Sequence, residues 1–318
     1  MRSAVFRLGL IGAGRMGQTH LRALASSPRV AVTAIVEPLE ALRASHARSS
    51  IDLYESVDEL LAAGGIDGAL IAAPSDRHVE IVAKLAAAGV PVLCEKPCGL
   101  SSHDVRLAGR AAEEHGVPLQ VGYWRRYVPA LQALRARIAG GELGDVHLIA
   151  CYQWDEKPPA PAFRAHSGGI FVDMGVHEFD QMRWLSGQEI DTVAAIASPL
   201  RTDPDVTTDV DSAQALVELS GGTSGFVSLG RHHSRGDMVR VEVFGTRDTG
   251  RCDVLDPGEG EMAQLDALRR QAEGFAGFAL GGPPSGASVV DAIAALEAVE
   301  RASAAIRDMD PVAEVLQQ

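Results

Sequence analysis

The segment with the clearest chemical meaning is the glycine-rich turn Gly-Ala-Gly-Arg-Met-Gly at residues 12–17. It follows an apolar run at 5–11 and opens a stretch of helical periodicity at 16–25, which is the setting of a dinucleotide-binding turn. There the first glycine permits a tight bend, the second lets the backbone approach a pyrophosphate, and the third allows close helix–strand packing. N–H groups at the helix N-terminus then bind phosphate oxygens. The candidate cofactor contacts in this turn are Gly12, Gly14, Arg15, Met16 and Gly17.

A carboxylate at the end of the next apolar run supports the same interpretation. Glu37 follows the run at 30–36 and lies about 20 residues beyond Gly17, where a carboxylate can accept a hydrogen bond from a ribose 2′-hydroxyl. Its negative charge would repel the 2′-phosphate of NADP. The sequence therefore predicts NAD as the cofactor and favours it over NADP.

Polar residues also follow two later apolar runs. Pro74 and Ser75 follow the fourth predicted strand, as in a turn that borders the nicotinamide ribose, and Glu95-Lys96-Pro97 follows the fifth. A lysine at a strand end is often simply solvated, but at the cofactor edge of a sheet it is equally a candidate for contacting a substrate oxygen. Position alone leaves both interpretations open. The cofactor candidates from these turns are Pro74, Ser75, His78, Glu95 and Lys96.

A third cluster lies in the second half of the chain, within the stretch 167–180. On a helix, Asp173 and His177 are i,i+4 neighbours, and Asp180 lies three residues further on. One face would then carry an imidazole between two carboxylates, which suits a general base. For an isolated His–Asp pair, the alternative interpretation is a structural histidine beside a surface aspartate. A metal site needs a further ligand that the local sequence does not supply, so no metal is predicted.

The first 122 residues alternate between apolar runs and stretches of helical periodicity. This alternation predicts an α/β fold of the Rossmann type, a doubly wound parallel sheet with helices on both faces. Ligands bind such a sheet beyond the carboxyl ends of its strands, which is where the turns described above lie. The predicted strands are 5–11, 30–36, 51–54, 68–73, 90–94 and 119–121, and the predicted helices are 16–25, 39–48, 58–63, 79–88 and 105–114.

After residue 122 the pattern changes, and two runs alternate apolar and polar residues with a period of two, at 213–219 and 239–243. That alternation predicts a mainly antiparallel open sheet with one buried face, in a C-terminal α+β domain. We place the NAD-binding domain at 1–122 and the second domain at 123–318. The predicted strands of the second domain are 146–154, 192–197, 212–219, 225–229 and 238–244, followed by a last helix that begins with Ser288 and Asp291 as a capping box and ends near 307.

Length and composition limit the possible partners. A chain of 318 residues exceeds the usual size of one domain. Its formal net charge of −13 argues against a nucleic acid or an anionic membrane as partner, because both would repel it. Four cysteines without CxxC or zinc-ligand spacing fit reduced thiols. With no apolar run near the length of a bilayer span, we expect a cytoplasmic protein.

Taken together, these motifs resemble the glucose–fructose oxidoreductase, inositol dehydrogenase and rhizopine-catabolism (Gfo/Idh/MocA) family, and most closely its inositol 2-dehydrogenases. The resemblance rests on the turn at 12–17, on Glu95-Lys96-Pro97, and on the stretch 168–180, which occur in the family's order. Two further stretches look similar to family motifs, namely 122–127 (GYWRRY) and 240–246 (RVEVFGT). The resemblance covers nearly the whole chain.

The resemblance implies that Lys96, Asp173 and His177 are catalytic. His177 would take a hydroxyl proton while a hydride leaves the same carbon for NAD, and Lys96 would stabilise the developing alkoxide. Asp173 would orient both the substrate and the histidine. Family members pair through the outer face of the second sheet, which implies a homo-oligomer, a dimer or a tetramer. The substrate-binding candidates are Arg126, Trp154, Asp173, His177 and Arg235.

Two departures from inositol dehydrogenases lie near the substrate side. Arg235 occupies the place of a pocket tyrosine, and the segment 253–271 is shorter than is typical. Arg235 either binds a carboxylate or phosphate of the substrate or faces solvent.

We therefore expect an NAD-dependent dehydrogenase that oxidises a ring hydroxyl of an inositol-like cyclitol. A sugar dehydrogenase, or an aminocyclitol or sugar-nucleotide 3-dehydrogenase of a biosynthetic pathway, is the alternative within the same chemistry. A non-catalytic dinucleotide-sensing regulator is the alternative from another class, since fold alone does not prove activity. The presence of Lys96, Asp173 and His177 together favours an enzyme.

Overall fold

The structure of the chain is a computed structural model that describes residues 5–198, 209–256 and 260–308. None of the helices in these three ranges is both long enough and apolar enough to cross a membrane. The chain divides into two compact units, each made of two stretches of sequence. The first unit combines Met1–Tyr127 with Gln264–Ile293, and the second combines Val128–Ala263 with Ala294–Gln318.

The first unit is built on a six-stranded sheet with the strand order β3-β2-β1-β4-β5-β6. Every neighbouring pair of strands in it is parallel, and this order is that of a Rossmann sheet. The predicted doubly wound sheet is thus confirmed. Its strands are β1 (Phe6–Ile11), β2 (Val30–Val36), β3 (Asp52–Tyr54), β4 (Gly68–Ile71), β5 (Val92–Glu95) and β6 (Leu119–Gly122).

Five helices connect these strands, and two of them differ from the sequence prediction by more than one residue at an end. The second is shorter than the predicted 39–48 and buries none of its residues, so packing does not extend it. The fifth begins three residues before the predicted 105, because Ser101 and Asp104 form a capping box around its first turn. The helices are α1 (Arg15–Leu24), α2 (Glu40–Ala44), α3 (Val57–Ala63), α4 (His78–Ala87) and α5 (Ser102–Glu114).

The second unit contains a six-stranded sheet with the strand order β12-β11-β7-β10-β9-β8. All neighbouring strands are antiparallel except β7 and β10, which run parallel, so the predicted mainly antiparallel sheet is confirmed. The sequence prediction missed β12, whose buried positions include a glycine and a cysteine and so lack a plain apolar alternation. The strands are β7 (Val146–Trp154), β8 (Ile190–Ala197), β9 (Ser212–Leu219), β10 (Ser224–Gly230), β11 (Met238–Gly245) and β12 (Thr249–Leu255).

One face of the second sheet is buried, as the alternation predicts. Alternate residues of β9 and β11, such as Ala215 and Val241, are almost completely buried, whereas Leu216 and Phe244 on the opposite face are exposed. Helices α6 and α9 were not predicted, because α6 buries only two leucines and the buried residues of α9 are mainly small. The remaining helices are α6 (Pro129–Ala139), α7 (Pro161–Arg164), α8 (Val176–Ser186), α9 (Gly260–Ala279) and α10 (Val289–Asp308).

Part of the late chain belongs to the first unit, although our sequence boundary assigns everything after residue 122 to the second domain. Residues 264–293 lie in the first unit because α9 packs into the core of its sheet. Phe275 of α9 is fully buried and packs edge-on against Phe6 of β1, with ring centroids 6.1 Å apart. The same cluster contains Leu8 and Leu10. Helix α9 therefore completes the hydrophobic core under β1.

We expect Phe275→Ala to lower the free energy of unfolding by about 3–5 kcal/mol, because it leaves a cavity beneath β1. The control is Leu280→Ala, since Leu280 follows the same helix with 69% of its surface exposed and should cost less than about 0.5 kcal/mol. Urea unfolding of both variants measures the difference. Equal costs for the two substitutions would show that α9 does not support this core.

Candidate functional site

The glycine-rich turn between β1 and α1 is shaped by the absence of side chains. Gly12 has a φ of +95°, and a Cβ there would lie 2.8 Å from the carbonyl oxygen of Ala72. A Cβ at Gly17 would overlap the carbonyl oxygen of Gly12. At Gly14, by contrast, a Cβ would meet nothing within 4 Å, so this glycine faces open space. Two of the glycines are thus required by packing, and the third leaves room beside the backbone.

The N-terminus of α1 opens onto that space. Gly14 is its N-cap residue and provides no side-chain hydrogen bond, and the first turn contains no acidic residue. Arg15 is exposed and Met16 is half-buried. The free N–H groups and the positive end of the helix dipole at this N-terminus favour binding of an anion. The open space at Gly14 allows the anion to approach the backbone. These residues fit the pyrophosphate of a dinucleotide.

Glu37 is held against the same turn. Its carboxylate is buried, with Oε2 accepting a hydrogen bond from the Ala13 N–H at 2.9 Å and Oε1 accepting one from the Leu39 N–H at 3.0 Å. The guanidinium of Arg43 donates to the Glu37 backbone carbonyl at 2.6 Å. Each carboxylate oxygen has a further lone pair for a ribose hydroxyl. The structure therefore fixes Glu37 beside the turn, and its ribose contact stays a prediction.

The turn after β4 contains Pro74, which is exposed, and Ser75, which is half-buried. His78 begins α4 and is buried, with its ring nitrogens 2.8 Å from the carbonyl oxygens of Ala73 and Pro97. Burial lowers the pKa of His78, while these two carbonyls oppose the shift. His78 thus connects the turn after β4 to the loop that carries Lys96, so its imidazole supports the cofactor edge through backbone contacts.

The loop after β5 depends on a buried pair that sequence reasoning missed. The imidazole Nε2 of His20 lies 2.7 Å from Oε1 of Glu95, and both side chains are almost completely buried. The other carboxylate oxygen accepts a hydrogen bond from the Lys96 N–H at 3.1 Å. Because His20 lies one helical turn after Gly17 in α1, the glycine-rich turn and the Lys96 loop share one support. The position of His20, three residues after the last glycine of the turn, is the sequence feature that could have indicated this support.

Arg126 lies in the short helical turn Trp124–Tyr127 of the first unit and is 9% exposed. Its Nη2 is 3.1 Å from Oδ1 of Asp291. Asp291 also accepts hydrogen bonds from the backbone and hydroxyl of Ser288, both at 2.8 Å, which confirms the predicted capping box. The guanidinium is therefore held at the start of α10, and its role in substrate binding stays a prediction.

In the second unit the predicted catalytic pair does not lie on one continuous α-helix. Asp173 lies in a π-helical turn, Phe171–Gly175, and His177 follows in the first turn of α8. The π-helical turn is a departure from the regular α-helix that we expected, and such turns are frequent at functional sites. The pairing of Asp173 with His177 stays a prediction. His177 and Asp180 are almost completely buried, at 6% and 2% exposed. His177 and Asp180 are thus largely shielded from solvent.

Asp173 is part of a buried network of charges that sequence reasoning also missed. Its Oδ2 lies 3.0 Å from Nη1 of Arg231, which follows β10 and has no exposed surface. Arg231 also contacts Asp209 at 3.0 Å. Strand β10 ends just before this arginine, and no local pattern pairs Arg231 with a residue 58 positions earlier.

Asp155 is a third carboxylate of this region and was not among the predicted site residues. Burial raises its pKa, and the neighbouring charges of Asp237 and Asp173 add to the shift. A partly buried carboxyl with a perturbed pKa is a mark of functional sites, so we add Asp155 to the candidates. Its neighbour Trp154 donates its indole N–H to the Ser228 hydroxyl at 3.1 Å. Arg235 is exposed.

Each unit thus offers one part of a redox reaction. The first presents a cradle for a dinucleotide with a lysine at its edge, and the second presents a buried imidazole with an oriented carboxylate. Among the described residues, no group of three or more His, Cys, Asp or Glu is arranged to hold a metal ion. The individual roles of the site residues stay predictions.

Comparison with known proteins identifies the class and then the family. Residues 6–123 match the oxidoreductase family with an NAD-binding Rossmann fold, so the chain is an oxidoreductase and its cofactor is NAD. Residues 131–250 match the Gfo/Idh/MocA C-terminal domain. The chain belongs to the Gfo/Idh/MocA family, which confirms the resemblance, the enzyme class and the cofactor expected from the sequence.

Individual relatives agree with this assignment. The chain is 49% identical to the rhizopine catabolism protein MocA of Rhizobium meliloti, over 94% of each chain. It is 37% identical to the myo-inositol dehydrogenase Hyg17 of Streptomyces leeuwenhoekii, over 87% of this chain and 89% of that one. Among solved structures, GenD2 from gentamicin A biosynthesis in complex with NAD has a TM-score of 0.89 at 26% identity, over 97% of this chain and 96% of that one.

The raised pKa of Asp155 predicts a pH-dependent cost to stability. The folded state binds this proton more tightly than the unfolded state, so the cost is absent below the unfolded pKa of about 3.9 and grows as pH rises through the folded pKa. Asp155→Asn should therefore gain stability relative to wild type as pH rises from about 4 to about 7.

Urea unfolding of wild type and Asp155→Asn at a series of pH values measures this difference. The control is Glu156→Gln, which changes an exposed neighbour and should follow the wild-type pH dependence. A difference between Asp155→Asn and wild type that stays constant with pH would contradict the buried, perturbed carboxyl.

Proposed function

We propose that this chain is an NAD-dependent dehydrogenase that oxidises a ring hydroxyl of a cyclitol to a ketone. The observation that carries the proposal is the buried imidazole of His177 four residues after Asp173, whose carboxylate is fixed by the buried Arg231. An oriented, desolvated imidazole suits the removal of a hydroxyl proton. The family's NAD-binding domain supplies the complementary half of the reaction.

In the proposed reaction a CH–OH group loses a proton and a hydride. When bound, NAD accepts the hydride. His177 takes the hydroxyl proton on an imidazole nitrogen, and Asp173 orients the hydroxyl and the imidazole. Lys96 donates a hydrogen bond to the reacting oxygen and stabilises its negative charge as the proton leaves. Buried surroundings strengthen these interactions because little water screens them.

The preference for NAD over NADP is assigned to Glu37. Its buried carboxylate is held by the N–H groups of Ala13 and Leu39, so it cannot swing away from a 2′-phosphate without breaking two hydrogen bonds. A phosphate placed beside it would meet an uncompensated negative charge, whereas a ribose hydroxyl can donate a hydrogen bond to it.

The proposed substrate class follows from the relatives. MocA is named for rhizopine catabolism, and Hyg17 is named a myo-inositol dehydrogenase. Because Arg235 is exposed, we assign it to solvent rather than to a substrate phosphate. We also expect a homo-oligomer that covers the exposed Leu216 and Phe244 of the second sheet, as a dimer or a tetramer.

The direct test is the appearance of NADH absorbance with purified protein, NAD and a panel of inositols, methylated inositols, aminocyclitols and aldoses, repeated with NADP. We expect turnover with a cyclitol and NAD, and far weaker turnover with aldoses or NADP. Turnover of aldoses alone would refute the cyclitol assignment. No turnover across the panel with NAD binding retained would favour a regulator.

Lys96→Ala and His177→Ala should each lower kcat/KM by about 100-fold or more, since each removes a group that acts on the reacting oxygen. NAD affinity, measured by calorimetry, should change little. The controls are Lys84→Ala and His115→Ala, which remove an exposed lysine and an exposed histidine of the first unit. Wild-type activity in either site variant would refute the assigned role.

Glu37→Gln should narrow the difference in affinity between NAD and NADP by roughly tenfold, which corresponds to about 1.4 kcal/mol of charge repulsion. The amide keeps the shape of the side chain but removes its negative charge. The control is Glu55→Gln, because the Glu55 side chain is exposed and directly follows β3. Titration of each variant with both cofactors measures the ratio, and an unchanged ratio for Glu37→Gln would show that another group selects NAD.

A further inference from the structure

Arg231 has an unusual environment for so large a charged side chain. It follows the last residue of β10, and its backbone N–H donates to the carbonyl oxygen of Asp211 at 2.8 Å. Its guanidinium has no exposed surface and bridges two carboxylates, with Nη1 3.0 Å from Asp173 and Nη2 3.0 Å from Asp209. One rigid planar group thus joins two acidic residues that lie far apart in sequence.

The network continues through a second arginine. The Arg164 side chain is 2% exposed, and its guanidinium contacts Asp209 at 2.9 Å and Asp211 at 2.9 Å. Guanidinium and carboxylate groups therefore alternate from Asp173 to Asp211. The interior members are at most 2% exposed, whereas the Asp173 side chain is 14% exposed. Of these five side chains, that of Asp173, which we assign to the reaction, is the most exposed. At the other end, Asp211 lies 3.7 Å from the exposed His232.

Stability alone is a weak explanation for this arrangement. Desolvating several charges costs free energy that their mutual attraction only partly recovers, and well-packed apolar side chains often serve as well. A guanidinium instead provides directional donors in a fixed plane, which sets the rotation of a carboxylate as well as its position. A carboxylate that must orient both a hydroxyl and an imidazole needs such a constraint.

We propose that Arg231 is a positioning residue for the reaction: it holds the Asp173 carboxylate in one orientation, and Asp209 holds Arg231 in turn. The inference rests on the proposed function, because it assigns Asp173 to the reacting group. Arg231 itself acts only through Asp173. Displacing a positioned group by about 1 Å can cost about 100-fold in rate, which sets the size of the expected effect.

The first test compares Arg231→Lys with Arg164→Lys. A lysine keeps the charge, but it has one nitrogen, which cannot both donate the Nη1 hydrogen bond to Asp173 and take the place of Nη2 beside Asp209. Arg231→Lys should lower kcat/KM for the cyclitol by about 100-fold with the NAD affinity unchanged. Arg164→Lys is the matched comparison, because Arg164 is equally buried but can act on Asp173 only through Asp209 and Arg231, so its loss should be smaller, about tenfold at most as for Asp209→Asn. A loss in Arg164→Lys equal to that in Arg231→Lys would overturn the proposal.

The second test is a double-mutant cycle with Asp173→Asn. If Arg231 acts through Asp173, Arg231→Lys should lower kcat/KM in the wild-type background and cause little further loss in the Asp173→Asn background. Purely additive losses would overturn the positioning role and leave the proposed function intact. Full activity of Asp173→Asn would refute the role assigned to Asp173 and the positioning role with it. The proposed function itself fails only if the wild-type protein does not oxidise any cyclitol with NAD, so the two failures are distinct.

A milder variant keeps the test decisive if Arg231→Lys does not fold. Asp209→Asn removes the charge that holds the far side of the guanidinium while retaining the shape of the side chain. It should lower kcat/KM by about tenfold in the wild-type background and leave kcat/KM unchanged in the Asp173→Asn background. Wild-type kcat/KM in folded Asp209→Asn would overturn the proposal.

Discussion

The cofactor edge of the first unit depends on one steric constraint, which is that no side chain fits at Gly12 or Gly17. A Cβ at either position would collide with backbone, so the turn between β1 and α1 can pack tightly only with glycine. That packing brings the Ala13 N–H to the carboxylate of Glu37. It also sets α1 so that His20 reaches Glu95, which in turn binds the Lys96 N–H. The position of Glu37, to which we assign the preference for NAD, and the placement of the lysine loop thus depend on the same turn.

The second unit combines a buried apolar face with a cluster of charged side chains, which is the arrangement that the proposed reaction needs. Alternating apolar strands supply a buried face, while charged groups cluster where β10 ends and the π-helical turn begins. There the carboxylate of Asp173 meets a buried guanidinium, and Asp155 carries a carboxyl whose pKa is raised by burial. Sites that do chemistry commonly accept such unfavourable burial because the oriented charges act on the reacting group.

Local patterns predicted most of the fold and the motif residues, because strand alternation and glycine-rich turns depend on residues that are close together in the sequence. Strand β12 and helix α6 were missed, since small or sparse buried residues leave little periodicity. The supports of the site could not be predicted in the same way. His20 and Glu95 are 75 residues apart, and Arg231 and Asp173 are 58 apart, so only tertiary packing joins them. The membership of residues 264–293 in the first unit has the same origin.

The central claim is that a hydride passes directly from a ring carbon of a cyclitol to NAD. The most direct measurement uses the cyclitol with the highest turnover, deuterated at its ring carbons, and determines the isotope content of the NADH formed by mass spectrometry and NMR. We predict one deuterium on the nicotinamide ring for each ketone formed, always on the same face of the ring. NADH without deuterium, formed in step with ketone, would contradict direct hydride transfer.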